Sequence, residues 1–362
     1  MTHRERVLNQ LTRRGLVQIV AGGAAGLAVV GAGFHRGTAQ DATPGTSPAA
    51  GTPVTGSVTI YSGRSEELVD ALITQAETAT GLDIEVRYAG TSELAAQILE
   101  EGDNSLADIF FSQDAGALGA LAKEGLLAPL PESILEMVDA RFRSPDGVWI
   151  GLSGRARVAV YNTDELTETD LPASILDFTD EVWNGQIGWA PENASFQSFV
   201  TALRVLQGED AARAWLDGMI ANAPVAYEGN GAVVRAVATG EVQVGLVNHY
   251  YLYEIQAEDG PLPIANHFFA AGDPGSLVNI AGVGILTTSQ NQDQALAVVE
   301  YMLGTEAQTY FAEETSEYPL TADILTAEGL IPLADVEAPD IDLSDLDDLE
   351  GTLTLLAEVG LL

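Results

Sequence analysis

Between Ser57 and Gly125 three short apolar runs alternate with amphipathic stretches, and this alternation constrains the fold of the 362-residue chain most strongly. SVTIYSGR (57–64) is rich in β-formers and ends in a glycine turn. SEELVDALITQAETATG (65–81) follows as a helix, with Ser65 as cap and Leu68, Leu72 and Ile73 on one face. DIEVRYAG (83–90) is a second strand and TSELAAQILEEG (91–102) a second helix, with Thr91 as cap. ADIFFSQDAGALGALAKEG (107–125) is a buried strand, a loop and a helix. The rhythm predicts a parallel sheet with helices on both faces. In such sheets ligands bind beyond the C-terminal strand ends, which here read YSGRS, YAGTS and FFSQD.

The motif returns after the middle of the chain. GQIGWAPENASFQSFVTALRVL (185–206) and PVAYEGNGAVVRAVATGEV (224–242) each read as strand, loop and helix, and QVGLVNHYYLYEIQ (243–256) as a strand running into three tyrosines. The length exceeds what one hydrophobic core usually holds, so two α/β lobes with a cleft between them are expected. Tyr250 and Tyr251 are adjacent. In a regular strand their rings would point to opposite faces. Just past a strand end, both rings can turn into one cleft.

Net charge is −38, and the basic residues gather at the start. Residues 1–40 hold five arginines and one acid, leaving ten basic and 52 acidic residues in the remainder. Such a surface repels nucleic acid and anionic lipid. TRRGLVQ (12–18) followed by the apolar, small-residue stretch 19–34 reads as a twin-arginine export signal over residues 1–40. Residues 41–56 form a Pro/Gly/Ser/Thr linker. There are no cysteines, which excludes disulfides, thiolate metal sites and a lipid-modified N-terminal cysteine.

Motifs for catalysis are missing. After the signal only His249 and His267 remain, with no Gly-x-Ser-x-Gly elbow, no HExxH and no phosphate-binding Gly-Lys-Ser/Thr loop, so the chain reads as no enzyme. The phenols offer other chemistry. A phenolate is a hard anionic oxygen donor suited to Fe(III), and a trivalent ion can displace a proton that phenol ordinarily keeps to about pH 10. A half-buried aromatic cluster is the alternative use of Tyr250, Tyr251 and Tyr253.

TIYSGRSEELV, ADIFFSQDAGALGAL, GLSGRARVAVYN, GWAPENASFQSFVTALR, VNHYYLYE, NHFFAAGDPGSLVNIAGVGIL and EAQTYFAEETSEYPL together resemble the periplasmic ferric-ion-binding proteins of bacterial iron ABC transporters, over about Val58 to Leu320. The resemblance implies a type II periplasmic-binding-protein fold with parallel-rich sheets, and Fe(III) held in the cleft by an adjacent tyrosine pair, which falls on Tyr250 and Tyr251. One branch of the family adds a histidine and a glutamate, whose positions are Ser65 and Gln113 here. A tyrosine-rich branch implies Tyr161 as a third phenol and Glu66 as a carboxylate. The family also implies a synergistic anion, carbonate or phosphate. Independently, the stretch Asn193, Ala194 and Ser195 can open a helix whose free N–H groups favour an anion. Asn230 and Asn248 match family positions that bond the anion, and Arg64 and Arg155 can clamp an oxyanion or pair with an acid.

The expected protein is a monomeric, exported solute-binding protein of the periplasm or the extracellular face of the cell membrane, delivering Fe(III) to an ABC permease. Lobe one would span 57–147 and about 267–303, and lobe two about 148–266 and 304–362. A two-lobe binding protein for a phosphonate, polyamine or thiamine is the other reading. Four aspartates between 340 and 347 lack the glycine of a calcium loop and read as a solvated turn before a last helix.

Overall fold

The computed structural model describes residues 55–321, 324–326 and 329–362. The export segment and all but the last two linker residues lie outside the described residues. Strand β1 (Ser57–Ser62), helix α1 (Glu66–Thr80), β2 (Asp83–Tyr88), α2 (Thr91–Glu101), β3 (Ile109–Ser112) and α3 (Ala115–Lys123) follow the predicted rhythm. After the short α4 (Glu132–Leu135) come β4 (Ile150–Asn162), β5 (Ile187–Trp189), α5 (Ala194–Gln207), α6 (Glu209–Ala221), β6 (Val225–Ala226), α7 (Asn230–Ala238), β7 (Val244–Asn248), α8 (Tyr250–Asp259) and β8 (Ile264–His267). The chain closes with β9 (Val278–Ile285), α9 (Gln292–Met302), α10 (Thr305–Glu313), β10 (Tyr318–Pro319) and α11 (Leu349–Glu358).

Helix α1 buries Val69, Leu72, Ile73 and Ala76, the i, i+3, i+4, i+7 stripe of an amphipathic helix. Its end is set by Gly81 at φ 74°, a left-handed conformation that glycine adopts without a Cβ penalty. Thr91 does not cap α2, as the sequence suggests; Gly90 holds the cap position. The Thr91 hydroxyl instead accepts from the Gln113 N–H at 3.1 Å, tying the start of α2 to the end of β3.

Strand order is β2-β1-β3-β9-β4-β7-β5-β6, with β8 and β10 also paired to β4. β1 is parallel to β2 and β3, and β5 is parallel to β6 and β7. The crossing strands β4 and β9 run antiparallel to their neighbours. β4 joins the two halves: Ile150 to Ala156 pair with β9, and Arg157 to Tyr161 with β7. At 13 residues it spans about 40 Å. The apolar interior divides in the same way. One cluster holds Ile60, Phe110, Trp149 and Ile280. A second, around Trp189, Phe199 and Trp215, lies with the β7 half, as does a third around Val160, Val233 and Val247. Ala307, Phe311 and Tyr318, from a stretch assigned by sequence to lobe two, pack in the first cluster.

The acidic C-terminal stretch forms a 3-10 turn, Leu343–Asp347, that buries Leu343 and Leu346 and leaves Asp345 exposed. The turn lies against α3 so closely that a Cβ on Gly119 would stand 2.5 Å from the Ser344 carbonyl oxygen. Lys123 pairs with Asp347 at 2.8 Å and Arg204 with Asp348 at 2.7 Å, so this segment bridges α3 and α5. Among the described residues no helix is long and apolar enough to cross a membrane.

Candidate metal and anion site

Tyr250 and Tyr251 open α8 immediately beyond β7. The helical turn places both rings on one side, stacked with centroids 4.3 Å apart and planes at 28°. They face an open cleft of about 460 Å³ whose opposite wall comes from the ends of β1, β2 and β3, with Ser65, Thr91, Glu93 and Gln113. The site therefore sits where C-terminal strand ends meet, as parallel sheets favour. Burial pushes the Tyr250 phenol well above its ordinary range, Tyr251 adds to the effect, and Arg155 opposes it.

His249 precedes the pair and is fully buried. Its Nδ1 accepts from the Ala156 N–H at 3.1 Å, and its Nε2 lies 2.9 Å from the Ser316 carbonyl. Both contacts are satisfied by the neutral ring with the proton on Nε2. Burial accordingly lowers its pKa to about 4. The ring also stacks on Tyr318 at 4.6 Å. His249 is thus a fixed support beneath the tyrosines.

The anion candidates divide into two groups. Asn193 caps α5: its Oδ1 accepts from the Ser195 N–H at 3.0 Å and the Ser195 hydroxyl at 2.6 Å. Asn230 Nδ2 donates to the same oxygen at 3.2 Å and to Ser195 Oγ at 3.0 Å. Asn193, Ser195 and Asn230 therefore form one polar cluster, and Ala194 beside them lines the cleft with the phenols. Asn230 Oδ1 is buried with no partner among the described residues. Arg64 and Arg155 lie elsewhere, around the buried carboxylate of Glu317. Arg64 Nη2 donates to Glu317 Oε2 at 2.9 Å, and Arg155 Nε stands 3.9 Å from Oε1. Arg155 also donates to the Gln113 and Ile280 carbonyls. Asn248 ends β7 directly opposite Arg157 of β4.

Two expected ligands are not brought to the pair. Tyr161 lies opposite Val244, four residues along the ladder from the Arg157–Asn248 pair and hence about 13 Å away. Its ring joins the core around Leu171 and Ile175. β4 and β7 are hydrogen-bonded neighbours, so no lobe motion can bring Tyr161 to Tyr250. Glu66 is exposed at the start of α1, and Ser65 and Leu68, not Glu66, line the cleft.

Sequence reasoning passes over Glu93 and Glu254, which line the cleft, and over Glu317 and Arg157. Arg157 is 3% exposed, and its Nε, Nη1 and Nη2 have no hydrogen-bond partner among the described residues. Burial lowers its pKa to about 10, with Tyr251 acting in the opposite sense. The sequence offers one hint, that Arg157 stands two residues from Arg155 on the same face of a strand in a chain with few cations, but not that it lacks a partner. No group of three or more His, Cys, Asp or Glu among the described residues is placed to hold a metal.

Residues 104–340 match the family model described as bacterial extracellular solute-binding protein. An Fe(3+)-binding periplasmic protein of Serratia marcescens is 35% identical over 84% of this chain and 90% of its own length. The major ferric iron-binding protein of Neisseria meningitidis serogroup B is 34% identical over 86% and 95%. The crystal structure of iron-bound HitA from Pseudomonas aeruginosa superposes with a TM-score of 0.78 at 34% identity, covering 84% of this chain and 99% of that one. A Trichodesmium protein (IdiA, FutA) in complex with iron and citrate gives 0.75 at 30% identity over 85% and 100%. The chain belongs to the bacterial extracellular solute-binding proteins and, within them, to the periplasmic ferric-ion-binding proteins of two-lobe, type II fold, which are binding proteins and not enzymes.

Proposed function

We propose that this chain is exported by the twin-arginine route and captures Fe(III) outside the cytoplasm for delivery to an ABC permease. The two half-sheets are the lobes. Tyr250 and Tyr251 supply the phenolate ligands, and iron displaces their protons to water. Glu93, which with Asp114 lines the facing wall where Glu66 does not, joins them as a carboxylate ligand. A synergistic anion fills further coordination positions beside Ala194 and the Asn193, Ser195 and Asn230 cluster. Carbonate and phosphate are the expected anions, and citrate accompanies iron in the Trichodesmium relative. The observation that carries this reading is the stacked tyrosine pair facing an open cleft at the strand ends, in a chain whose relatives are named for ferric iron.

The test is a visible spectrum on adding Fe(III) as its nitrilotriacetate complex, with carbonate, phosphate or citrate in separate arms. A phenolate-to-iron charge-transfer band is expected, reduced or shifted in Tyr250→Phe and Tyr251→Phe and lost when both are changed. An undiminished band in the double variant, or none in the native protein, overturns the assignment.

A further inference from the structure

Three arginines and the carboxylate of Glu317 are buried. Arg64, Arg155 and Arg157 are each at most 3% exposed. Glu317 serves Arg64 and Arg155. Arg157 has no hydrogen-bond partner for any of its three guanidinium nitrogens among the described residues. Its guanidinium lies over the Phe199 ring, 5.2 Å from the centroid, and cation–π attraction offsets only part of the lost hydration. Natural cores rarely keep a charge in this state. Such a charge is retained when a second, negative charge appears in the working cycle. The strand register directs where to look for it: Arg157 faces Asn248, and the phenols of Tyr250 and Tyr251 follow at once. Tyr251 is also the ionisable group that acts on the Arg157 charge.

We infer that Arg157 is the counter-charge of the ferric site, a positioning residue that stabilises the negative charge left on the Tyr251 oxygen when iron displaces its proton. This rests on the iron reading above. Arg157 binds no iron itself. Each phenol proton leaves to water and the oxygen lone pair goes to the metal; Fe(III) with two phenolates, the Glu93 carboxylate and a doubly charged anion such as carbonate is then negative overall, and that charge lies against a guanidinium that has no other anion to neutralise it. The iron-free protein carries the cost of the unpaired cation, and loading relieves it. Stability of the empty form is thereby exchanged for affinity in the filled one.

The experiment compares the full chain with Arg157→Met and Arg157→Lys. Methionine keeps much of the length without the charge, and lysine keeps the charge. Affinity is measured by competition with nitrilotriacetate, and thermal unfolding is followed without iron. Arg157→Met should bind iron about 10–100-fold more weakly, the range for losing an outer partner of a metal ligand. Its charge-transfer band should move to longer wavelength, because a phenolate without an adjacent cation gives up an electron more easily. The iron-free Arg157→Met protein should melt above the native one, since an unpaired buried charge has been removed. Arg157→Lys should keep most of the affinity. A merely structural arginine would lower the melting temperature and leave the band in place, and either result overturns the inference. Should Arg157→Met fail to fold, that outcome also counts against it, and Arg157→Lys still reports the band. Native colour with an unchanged variant sinks this inference alone, whereas a colourless native protein sinks the iron reading and this inference with it.

Discussion

Arg64 Nη2 donates to Glu317 Oε2 at 2.9 Å across 253 residues of sequence, and both side chains are buried. The bond ties the loop after β1 to the segment after α10. Glu317 Oε2 also accepts from the Ser153 hydroxyl at 2.9 Å, which brings in the crossing strand β4. One carboxylate thus fastens three distant parts of the first half-sheet directly behind the cleft. Removing its charge would leave Arg64 and Arg155 buried with a neutral partner. Glu317→Gln is expected to cost about 3–5 kcal/mol, the range for breaking a buried ion pair from one side. Urea unfolding of the iron-free protein measures it, and a midpoint equal to the native one would mean that the pair anchors nothing.

The contact between α3 and the C-terminal turn gives a second expectation. Gly119 has no room for a side chain, because a Cβ would stand 2.5 Å from the Ser344 oxygen. The oxygen is backbone and a Cβ is held rigidly on its own Cα, so neither can rotate away. Gly119→Ala should destabilise the fold by about 1–3 kcal/mol through overpacking. Denaturant unfolding with an unchanged slope and a lower midpoint is the expected result. A gain in stability, as alanine gives where a helix is free to take it, would show that the turn does not rest on α3.

What the sequence made legible follows from range. The periodicities of 57–125 are local, and β1, α1, β2, α2, β3 and α3 all form where they point. The placement of Tyr250 and Tyr251 just past β7, with both rings on one side, was readable because a strand end and a following helix start are also local features. Tyr161 misled because a strand position says nothing about which end of the ladder meets the cleft. Only the pairing of Arg157 with Asn248 settles that. Whether Arg64 and Arg155 clamp an oxyanion or pair with an acid stays open in the sequence, since Glu317 lies 253 and 162 residues away from them. Arg157 was hidden for the opposite reason. Its significance is a missing partner, and an absence of contacts is visible only in three dimensions.

His249 makes the stability of the iron-free protein depend on pH in a defined direction. The unfolded chain takes up a proton near pH 6.5, whereas the buried ring does so only near pH 4. Between those values the unfolded state binds more protons, so stability falls as pH falls. The geometry supplies the reason: protonating Nδ1 would set a second donor against the Ala156 N–H. Glu317 favours the charged ring and Arg155 opposes it, and burial outweighs both. The full contribution is about 3 kcal/mol, present above pH 6.5 and lost on the way to pH 4. In His249→Asn the difference in unfolding free energy between pH 7 and pH 4.5 should shrink by a comparable amount. A variant with the native pH slope would place the dependence on other groups.

Iron loading should follow protons too, and the number of protons can be counted. Each phenol ordinarily keeps its proton to about pH 10, and burial holds the Tyr250 proton more tightly still. Metal and proton compete for the same oxygen, so affinity falls with falling pH. Far below the phenol range, each displaced proton changes the binding constant by about one decade per pH unit. Two phenolate ligands therefore give a slope of about two decades per unit between pH 6 and pH 8. Tyr250→Phe should lower the affinity and also reduce the slope to about one. Tyr251→Phe should do the same, and the double variant should lose the slope together with the colour. The measurement is competition against nitrilotriacetate at constant anion, corrected for the proton release of the chelator and of the anion. A slope that stays at two in Tyr250→Phe would mean that its oxygen is not a ligand. A native slope near zero would remove both phenols from the site and leave carboxylates as the donors.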